Sequence, residues 1–420
     1  MSSEWPETTL GGFVRLQRGH DLTASEQQPG PYPVMGSAGQ NGSHNVAKAK
    51  GPGVVVGRSG ASMGRVHYSE SDYWPHNTCL YVTDFQGNNP RFAYYVLGSL
   101  DLAGYNSGSA QPSLNRNYIY GMPLKIPSRV QQDSIVEVLS ALDDRIALLR
   151  ETNATLEAIA QALFKSWFVD FDPVHARARG EQPADLSPEV AALFPDSFEE
   201  SELGMIPKGW RVARLGDSVA KITKGTTPTT LKRPFVDSGI NFVKAESMDG
   251  SGGFIPSKFA FIDDETHNLL ARSQLAVGDV LISIAGTIGR IAVMTEDYLP
   301  ANTNQAVALI RPNQNIFPSG LIYQFLRRAE SQMLMGERVV QAVQANLSLG
   351  SLSDMKATIP PEATVIKLYS AGLAQIDDAI AHHRQQAQTL AILRDTLLPR
   401  LISGQLRLPE AEAVLQEAGI

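Results

Sequence analysis

The sequence predicts an α+β protein made of two mixed α/β blocks, each followed by a long helix. An ungapped shift of 225 residues aligns 55–82 with 280–307, and nine of these 28 positions are identical. A shift of 233 residues then aligns 110–127 with 343–360, and both segments end in Ile-Pro. Beyond each Ile-Pro pair, the apolar spacing changes from strand-like to helical. The chain is therefore predicted to repeat one structural unit twice.

Two segments, 131–168 and 362–402, carry apolar residues at steps of three and four. Each predicts a helix of about 35 residues, or roughly 50 Å at about 1.5 Å per residue. The apolar positions are Ile135, Val138, Leu139, Leu142, Ile146, Leu149, Leu156, Ile159, Leu163 and Trp167, then Leu368, Leu373, Ile376, Ile380, Leu390, Leu393, Leu397 and Leu401. Such stripes need a partner helix, and each helix is the obvious partner of the other. Two equivalent units tend to pack about a pseudo-two-fold axis, and under that symmetry the long helices would be antiparallel.

This pattern divides the chain into six predicted segments. They are a first globular block (1–128), a first long helix (129–172), a linker (173–204), a second globular block (205–360), a second long helix (361–403) and a C-terminal tail (404–420). Pro399 lies inside the second helical segment, so the last turn of that helix is predicted to bend or to end early.

Positive charge is concentrated locally, although the formal net charge is −7. Residues 131–204 hold 15 acidic and only 5 basic side chains, so most of the acidity lies in the connecting region. Residues 27–69 contain four basic side chains and no acid, and 207–236 contain seven against the single Asp217. Local clusters of this kind suit phosphate contacts, because those depend on nearby charge. An ordinary solvated surface explains them equally well.

Several classes of protein are not supported by the sequence. Residues 1–13 lack a basic start followed by an apolar run, so no secretory signal is expected. The longest apolar run, 280–289, is about half of a membrane span, and a cytoplasmic protein is therefore expected. The single cysteine, Cys79, excludes an internal disulfide and a multi-cysteine metal site. The nearest string to an adenine-methyltransferase N-P-P-[YF] motif, N-N-P-R-F at 88–92, lacks the second proline, and no Walker A motif is present. We therefore predict neither catalysis nor a bound metal.

Two glycine-containing turns, 58–65 and 283–290, are the first candidates for DNA contact. Glycine permits a tight turn whose backbone N–H groups can approach an anion, although neither segment is a P-loop. The candidate residues there are Arg58, Ser62, Arg65, Thr287 and Arg290. A β-hairpin turn with an exposed arginine is an equally good interpretation. The Asn-Thr pairs at 77–78 and 302–303 are identical in both copies, which favours a structural role over base readout.

Segments that differ between the copies are the better candidates for reading bases. They are rich in amides, hydroxyls and basic groups, which match the donors and acceptors of base edges. The candidate residues are Gln40, Asn45, Lys48, Asn115 and Arg116 in the first block, and Lys224, Thr226, Lys232, Arg233, Gln341 and Gln344 in the second. Gln344 recurs as Gln111, so a shared scaffold contact is equally plausible for it. Phe164, Trp167, Phe168 and Phe171 have helical spacing, which predicts core or subunit packing rather than base stacking.

Three long motifs give the chain a family resemblance. ALFKSWFVDFDPVHARARG (162–180), SELGMIPKGWRVARLGD (201–217) and LAILRDTLLPRLISGQLRL (390–408) resemble conserved regions of the specificity subunits of type I restriction–modification systems. The resemblance covers essentially the whole chain, in the order recognition domain, conserved helix, recognition domain, conserved helix.

The resemblance implies a non-catalytic subunit that binds double-stranded DNA. Each block would be a target-recognition domain for one half of a split, asymmetric site, and the helices would fix the distance between the halves. Two methyltransferase subunits would dock on the helices to form a DNA adenine methylase, and nuclease–translocase subunits could join. No cofactor is expected in this chain, whereas S-adenosylmethionine, ATP and Mg²⁺ are expected in its partners. Two alternatives are a repeated protein-binding scaffold without DNA recognition and a solitary methylase or nuclease.

The expected role of the helices as spacers is testable. Inserting about one heptad within residues 150–160 should lengthen the unspecified spacer of the DNA site, because the recognition domains would move apart. Methylome sequencing of cells carrying the variant measures that spacer. An unchanged spacer would rule out a rigid helical ruler.

Overall fold

The computed structural model describes residues 5–108, 111–340 and 346–417. The strands are β1 (Glu7–Thr9), β2 (Arg15–Arg18), β3 (Tyr32–Gly36), β4 (Gly39–His44), β5 (Gly53–Gly57), β6 (Val66–Ser69), β7 (Trp74–Pro75), β8 (Cys79–Asp84), β9 (Pro123–Lys125), β10 (Phe198–Ser201), β11 (Gly204–Pro207), β12 (Arg211–Arg214), β13 (Lys221–Lys224), β14 (Ile240–Val243), β15 (Ala260–Ile262), β16 (Val280–Ser283), β17 (Ile291–Val293), β18 (Ala301–Thr303), β19 (Val307–Arg311) and β20 (Lys356–Ile359).

The α-helices are α1 (Leu10–Phe13), α2 (Pro90–Ser99), α3 (Arg116–Ile119), α4 (Arg129–Phe168), α5 (Asp172–Ala178), α6 (Pro188–Ala191), α7 (Leu215–Ser218), α8 (Asp264–Leu269), α9 (Ser319–Arg327), α10 (Ala329–Val340), α11 (Leu349–Ser353), α12 (Ala363–Ile402) and α13 (Leu408–Glu417). Helices α4 and α12 are the two long helices that the apolar spacing predicts.

The chain forms two compact units, and each takes one half of both long helices. The first unit is Met1–Glu151 with His383–Ile420, and the second is Thr152–His382. The boundary falls within α4 and within α12. This division cuts across the predicted segments 129–172 and 361–403, because each helix half packs with the block beside it.

Both units contain the same three sheets. The first unit has the strand orders β2-β8-β5-β6, β4-β3-β7 and β1-β9. The second has β13-β19-β16-β17, β15-β14-β18 and β12-β20, in the same sequence of connections. The predicted α+β fold with an internal repeat is therefore confirmed.

The ungapped alignment of the two copies is wrong in detail. Gly57 pairs with Cys79, and Ser283 pairs with Val307 at the equivalent place in the second unit. A constant shift of 225 would instead place Gly57 on Ile282 and Cys79 on Asn304. The strands keep their pairing because the turns and loops between them differ in length.

The Asn-Thr pairs are consequently not equivalent. Asn77 lies in the loop before β8 and donates a hydrogen bond to Asp21. Asn302 is fully buried in β18 and donates to the Leu270 carbonyl (3.1 Å). Both side chains have structural partners, but Asn77 supports the loop before β8 whereas Asn302 makes its hydrogen bond inside the protein.

Most of the predicted apolar helix positions lie in the two cores. In the first unit, Leu139 and Leu142 of α4 share a core with Leu397 and Leu401 of α12. Two predicted positions are wrong, because Ile159 is 51% exposed and Leu368 is 38% exposed. Ala160 and Phe164 are buried, whereas Ile159 is exposed because it lies about 100° from Ala160 around the helix axis.

The helix halves run antiparallel in the second unit. The Asn153 amide donates to the Ile380 carbonyl (3.2 Å), while the Phe168 ring meets Tyr369 with centroids 5.0 Å apart. Thus later residues of α4 meet earlier residues of α12. The geometry matches the prediction within this unit.

The aromatic residues of 164–171 are core residues, as predicted. Phe164, Trp167, Phe168 and Phe171 are all buried, and Trp167 packs edge-on against Phe194 with ring centroids 5.1 Å apart. The predicted linker 173–204 contributes to the same core, since Val174 and Phe194 within it are buried. It also contains α5, α6 and β10.

Helix α12 continues past Pro399 and ends at Ile402. The Ser403 N–H donates to the Pro399 carbonyl (3.0 Å), so the turn closes behind the proline. Gly404 follows with a φ of +73°, a conformation that glycine adopts without strain and that commonly ends helices. The helix therefore ends within one turn of Pro399.

A half-buried ionic network joins the two helices in the first unit. Asp143 of α4 accepts from the Tyr95 hydroxyl (2.6 Å) and from Arg394 of α12 (2.7 Å). Arg91 lies 3.6 Å away on the other side. Burial disfavours the charged form of Arg394, but the hydrogen bonds to Asp143 and Asp395 outweigh it and raise the pKa of the guanidinium.

Replacing Asp143 by Asn should lower the free energy of unfolding by about 2–3 kcal/mol, because two half-buried guanidinium groups lose their shared carboxylate. Urea unfolding of the purified chain measures the loss. Asp144→Asn, a matched change at the exposed neighbouring residue, should leave the midpoint almost unchanged. Equal midpoints for the two variants would contradict the network's role.

Candidate nucleic-acid interface

The turn after the central strand is held against a distant segment in both units. In the first unit, the Leu114 N–H donates to the Arg58 carbonyl (2.8 Å) and the Gly60 N–H to the Pro112 carbonyl (3.1 Å). In the second unit, the Leu347 N–H donates to the Ile284 carbonyl (2.9 Å). These main-chain bonds bring the predicted turn 58–65 beside the segment that precedes the predicted residues Asn115 and Arg116.

The loop before β8 lies at the same edge of the sheet. The Arg58 N–H donates to the Thr78 carbonyl (2.8 Å), and the Ile284 N–H donates to the Ala306 carbonyl at the equivalent place (2.8 Å). Each four-stranded sheet thus presents a turn and a loop side by side. We call the end of each sheet at which this turn and this loop lie the turn edge.

The tip of the β3–β4 hairpin joins the turn edge in the first unit. Buried Ser37 accepts from the Ser59 N–H (3.3 Å) and donates its hydroxyl to the Thr78 carbonyl. A His67 ring nitrogen lies 3.1 Å from the Ser37 carbonyl oxygen. Exposed Gln40 follows this tip, so it lies near the predicted turn.

Three predicted residues of the turn itself are placed at this edge. Arg65 is exposed, while Arg58 and Ser62 are half-buried. The Arg58 guanidinium donates to the Asn77 carbonyl (3.4 Å). The structure therefore brings Gln40, Arg58, Ser62 and Arg65 together.

Asn45 and Lys48 form a separate group. They follow β4 at its far end, and Asn45 is five residues beyond Gln40, or roughly 17 Å along a strand. The Asn45 amide donates to the Gln28 side chain (2.8 Å), and the Lys48 ammonium lies 5.3 Å from the centroid of the Trp74 ring. Both side chains are exposed.

Asn115 and Arg116 support the fold of the first unit. The Asn115 side chain caps α3 by accepting from the Asn117 N–H (3.0 Å). The half-buried Arg116 guanidinium donates to the Leu16 carbonyl (2.7 Å). Both of these polar groups already have partners within the chain.

The predicted residues of the second unit differ in how free they are. Lys224 and Lys232 are exposed, and Thr226 accepts from Arg272 (3.5 Å). Arg233 is bound by Glu265 (2.6 Å) and by Asp263 and Thr266, so its charge is largely neutralised.

The second turn holds Thr287 and Arg290. The Thr287 side chain is exposed, and its carbonyl accepts from the Ser283 hydroxyl (2.6 Å). The Arg290 guanidinium donates to the Met248 carbonyl (3.1 Å), which ties the β14–β15 connection to this turn. Gln341 and Gln344 lie outside the described residues.

Ion pairing reduces the predicted basic cluster of residues 27–69. Lys50 binds Asp72 at 2.8 Å, and this hydrogen bond raises the pKa of the Lys50 ammonium. The same bond lowers the pKa of the Asp72 carboxyl. The charge count along the sequence misses this ion pair, because Asp72 lies just outside the acid-free stretch of residues 27–69.

Three residues that hold the interface were not predicted as interface residues: Ser37, Thr78 and Gln305. Gln305 accepts from the Thr227 N–H (3.2 Å) and so fixes the chain after β13. Their only sequence signal is a place in a polar segment. In the first unit, Cys79 follows Thr78 and is buried, and burial raises the pKa of its thiol to about 12, which keeps it protonated.

Two features are absent from residues 5–108, 111–340 and 346–417, namely a metal-ligand cluster and a membrane-spanning helix. No three His, Cys, Asp or Glu side chains form a group able to hold a metal ion. Over the same part of the chain, no helix combines the length and the apolar content that a membrane span requires.

Comparison with known proteins gives one consistent result. The family model of the type I restriction modification DNA specificity domain matches residues 2–158 and 207–391. The type I restriction enzyme HindI specificity subunit of Haemophilus influenzae is 25% identical over 368 residues, which cover 76% of this chain and 77% of that protein. The MjaIX specificity subunit of Methanocaldococcus jannaschii is 24% identical over 368 residues, which cover 85% and 78%.

A solved structure has a similar fold. The type I restriction-modification S subunit from M. genitalium gives a TM-score of 0.54 at 16% identity, with 96% of this chain and 97% of that chain covered.

Adjacent residues Lys232 and Arg233 offer a test of which predicted side chains are free for DNA. Lys232→Gln should weaken DNA binding by the assembled complex. The slope of log K against log salt should become less steep by about 0.9, which corresponds to the loss of one phosphate contact. Arg233→Gln should instead lower the melting temperature and leave the salt dependence unchanged, because Asp263 and Glu265 already occupy the guanidinium. The reverse pattern would show that Arg233 exchanges its acidic partners for DNA.

Proposed function

The chain belongs to the family of type I restriction–modification DNA specificity proteins, and from that membership we propose that it reads a two-part DNA site with one recognition domain per part. Members of this family are the non-catalytic specificity subunits of their complexes. Sequence choice is therefore the contribution of this chain, and chemistry is the contribution of the subunits that assemble with it.

The observation that carries this proposal is a common frame with different side chains. The Arg58 and Ile284 carbonyls occupy equivalent places, each accepting from a leucine N–H of a distant segment. The side chains at these places are unlike, since Arg58 is a half-buried guanidinium and Ile284 is an aliphatic group buried in the core. Equivalent main chains with unlike side chains are what two half-sites of different sequence require.

Base readout and phosphate contact are assigned to different groups at the turn edge. Amide and hydroxyl side chains such as Gln40 match donors and acceptors on base edges. Exposed cations such as Arg65 and Lys232 suit phosphates, whose contacts position the protein without reading sequence. Asn115, Arg116 and Arg233 support the fold because their polar groups are already bound.

The proposed partners follow from the family. Two methyltransferase subunits would supply adenine methylation with S-adenosylmethionine, and nuclease–translocase subunits would use ATP and Mg²⁺. The complex would act on chromosomal and incoming DNA in the cytoplasm. This chain itself would bind no cofactor.

Exchange of one recognition domain tests this function. Replacing residues 1–128 by those of another family member should change one half of the methylated site and leave the other half and the spacer unchanged. The chain is expressed with its methyltransferase subunits, and N6-methyladenine is mapped by long-read sequencing, with the unexchanged chain as control.

Two results would count against the proposal. A change in both halves would show that the domains do not read independently. Absence of both sequence preference and N6-methyladenine with the unexchanged chain would reject the specificity function, and would favour a scaffold that binds proteins without recognising DNA.

A further inference from the structure

The first strand of each four-stranded sheet carries the same pattern of charge. Gln17 of β2 pairs with Tyr81, and Thr223 of β13 pairs with Leu309 at the equivalent register. This register aligns Arg-Leu-Gln-Arg (15–18) with Lys-Ile-Thr-Lys (221–224). Both strands thus begin and end with a basic residue, an equivalence that the strand pairing reveals.

A glycine fixes the end of each strand. A side chain at Gly19 would collide with the carbonyl oxygen of His76, and one at Gly225 would collide with that of Thr303. The Gly19 N–H donates to the Cys79 carbonyl (3.0 Å), and the Gly225 N–H donates to the Asn304 carbonyl (3.1 Å). Close backbone contact therefore holds Arg18 and Lys224 at corresponding places.

These two residues lie at the turn edge. In the first unit, β2 and β5 both run antiparallel to β8, so they run in the same direction and their last residues share one edge. Arg18 is therefore on the same side as the turn that begins at Arg58. The same relation among β13, β19 and β16 places Lys224 on the side of the second turn.

The turn edge has a basic residue at each outer strand. Arg18 ends β2, and Arg65 precedes β6, which is the other outer strand of the same sheet. Lys224 and Arg290 have the corresponding places in the second unit. Three strand spacings separate the outer strands, about 14 Å, which is close to the roughly 12 Å width of the major groove.

Both positions, Lys224 from the sequence-based candidates and Arg18 in addition to them, are accessible to a polyanion. The side chain of Arg18 is 54% exposed and forms an ion pair with Asp21, whose side chain is 73% exposed. A contact between two such exposed groups is readily exchanged for another anion. The Lys224 side chain is exposed, and no ion pair involves it among the residues that the structure describes.

We propose that Arg18 and Lys224 are equivalent phosphate-contacting residues, one at each half-site, on the outer strand of each recognition domain. Phosphates are the same in every sequence, so a contact to them is shared by both domains, whereas base contacts must differ. The proposal rests on the function proposed above and assigns to the DNA backbone a pair of positions that the repeat retains.

The test uses neutral substitutions in the assembled methyltransferase complex. Arg18→Gln and Lys224→Gln are compared with Arg15→Gln and Lys221→Gln, which remove the same charge from the same strands about 10 Å from the turn edge. Binding to a duplex containing the site of the unmodified complex is measured by fluorescence anisotropy over a range of salt concentrations. Melting temperatures and methylome motifs are recorded for each variant.

Each of Arg18→Gln and Lys224→Gln should reduce the steepness of log K against log salt by about 0.9, and the double variant by about 1.8. The methylated motif should stay the same, and the Arg15 and Lys221 variants should retain the original salt dependence. Unchanged salt dependence in the Arg18 and Lys224 variants, or equal losses in the controls, would overturn the proposal. A changed motif would also overturn it, because it would assign base readout to these residues.

Failure of the wider function is a separate result. If the unmodified complex shows no sequence preference, the specificity function fails before the variants are compared. If it binds its site with a strong salt dependence that Arg18→Gln and Lys224→Gln do not alter, only the phosphate assignment fails.

Discussion

Each recognition domain completes its hydrophobic core with halves of both long helices, and the rest of the structure depends on this constraint. In the first unit, Leu139 and Leu142 from α4 are buried together with Leu397 and Leu401 from α12. In the second, Phe164 and Trp167 share a core with Tyr369 and Leu373. Neither α/β block can bury its apolar surface with its own residues alone, since the helix residues are part of the core. The ionic group of Asp143, Arg91 and Arg394 adds a polar connection between the same elements in the first unit.

Above these cores, main-chain bonds position the turn edge and leave its side chains free to differ. The Leu114 to Arg58 bond and the Leu347 to Ile284 bond are made by backbone atoms, so they persist when the side chains change. This separation explains how one duplicated frame can serve two different half-sites. It also divides the repeated features into two kinds. Some, such as Gly19 and Gly225, preserve the backbone. Others, such as Arg18 and Lys224, are assigned to the DNA phosphates, which are the same in every sequence.

The sequence alone predicts the duplication, the two long helices and the burial of the aromatic cluster, because periodic apolar spacing directly reflects packing. It does not predict which of two adjacent helix residues is buried, as Ile159 and Ala160 show. The ungapped alignment fails where loops differ in length, so strand pairing is needed to relate Gly57 to Ser283. Partners distant in sequence, such as Glu265 for Arg233, decide which cations are free, and only the folded chain brings them together. The predicted DNA-contacting residues otherwise stay predictions.

The most direct measurement of the central claim is the pattern of N6-methyladenine in the host genome, mapped by long-read sequencing with and without this gene. We expect a methylated motif of two specified parts, separated by an unspecified spacer, that disappears on deletion and returns when the gene is restored. A motif that survives deletion, or one that is continuous and has no spacer, would contradict the reading of two half-sites by two domains.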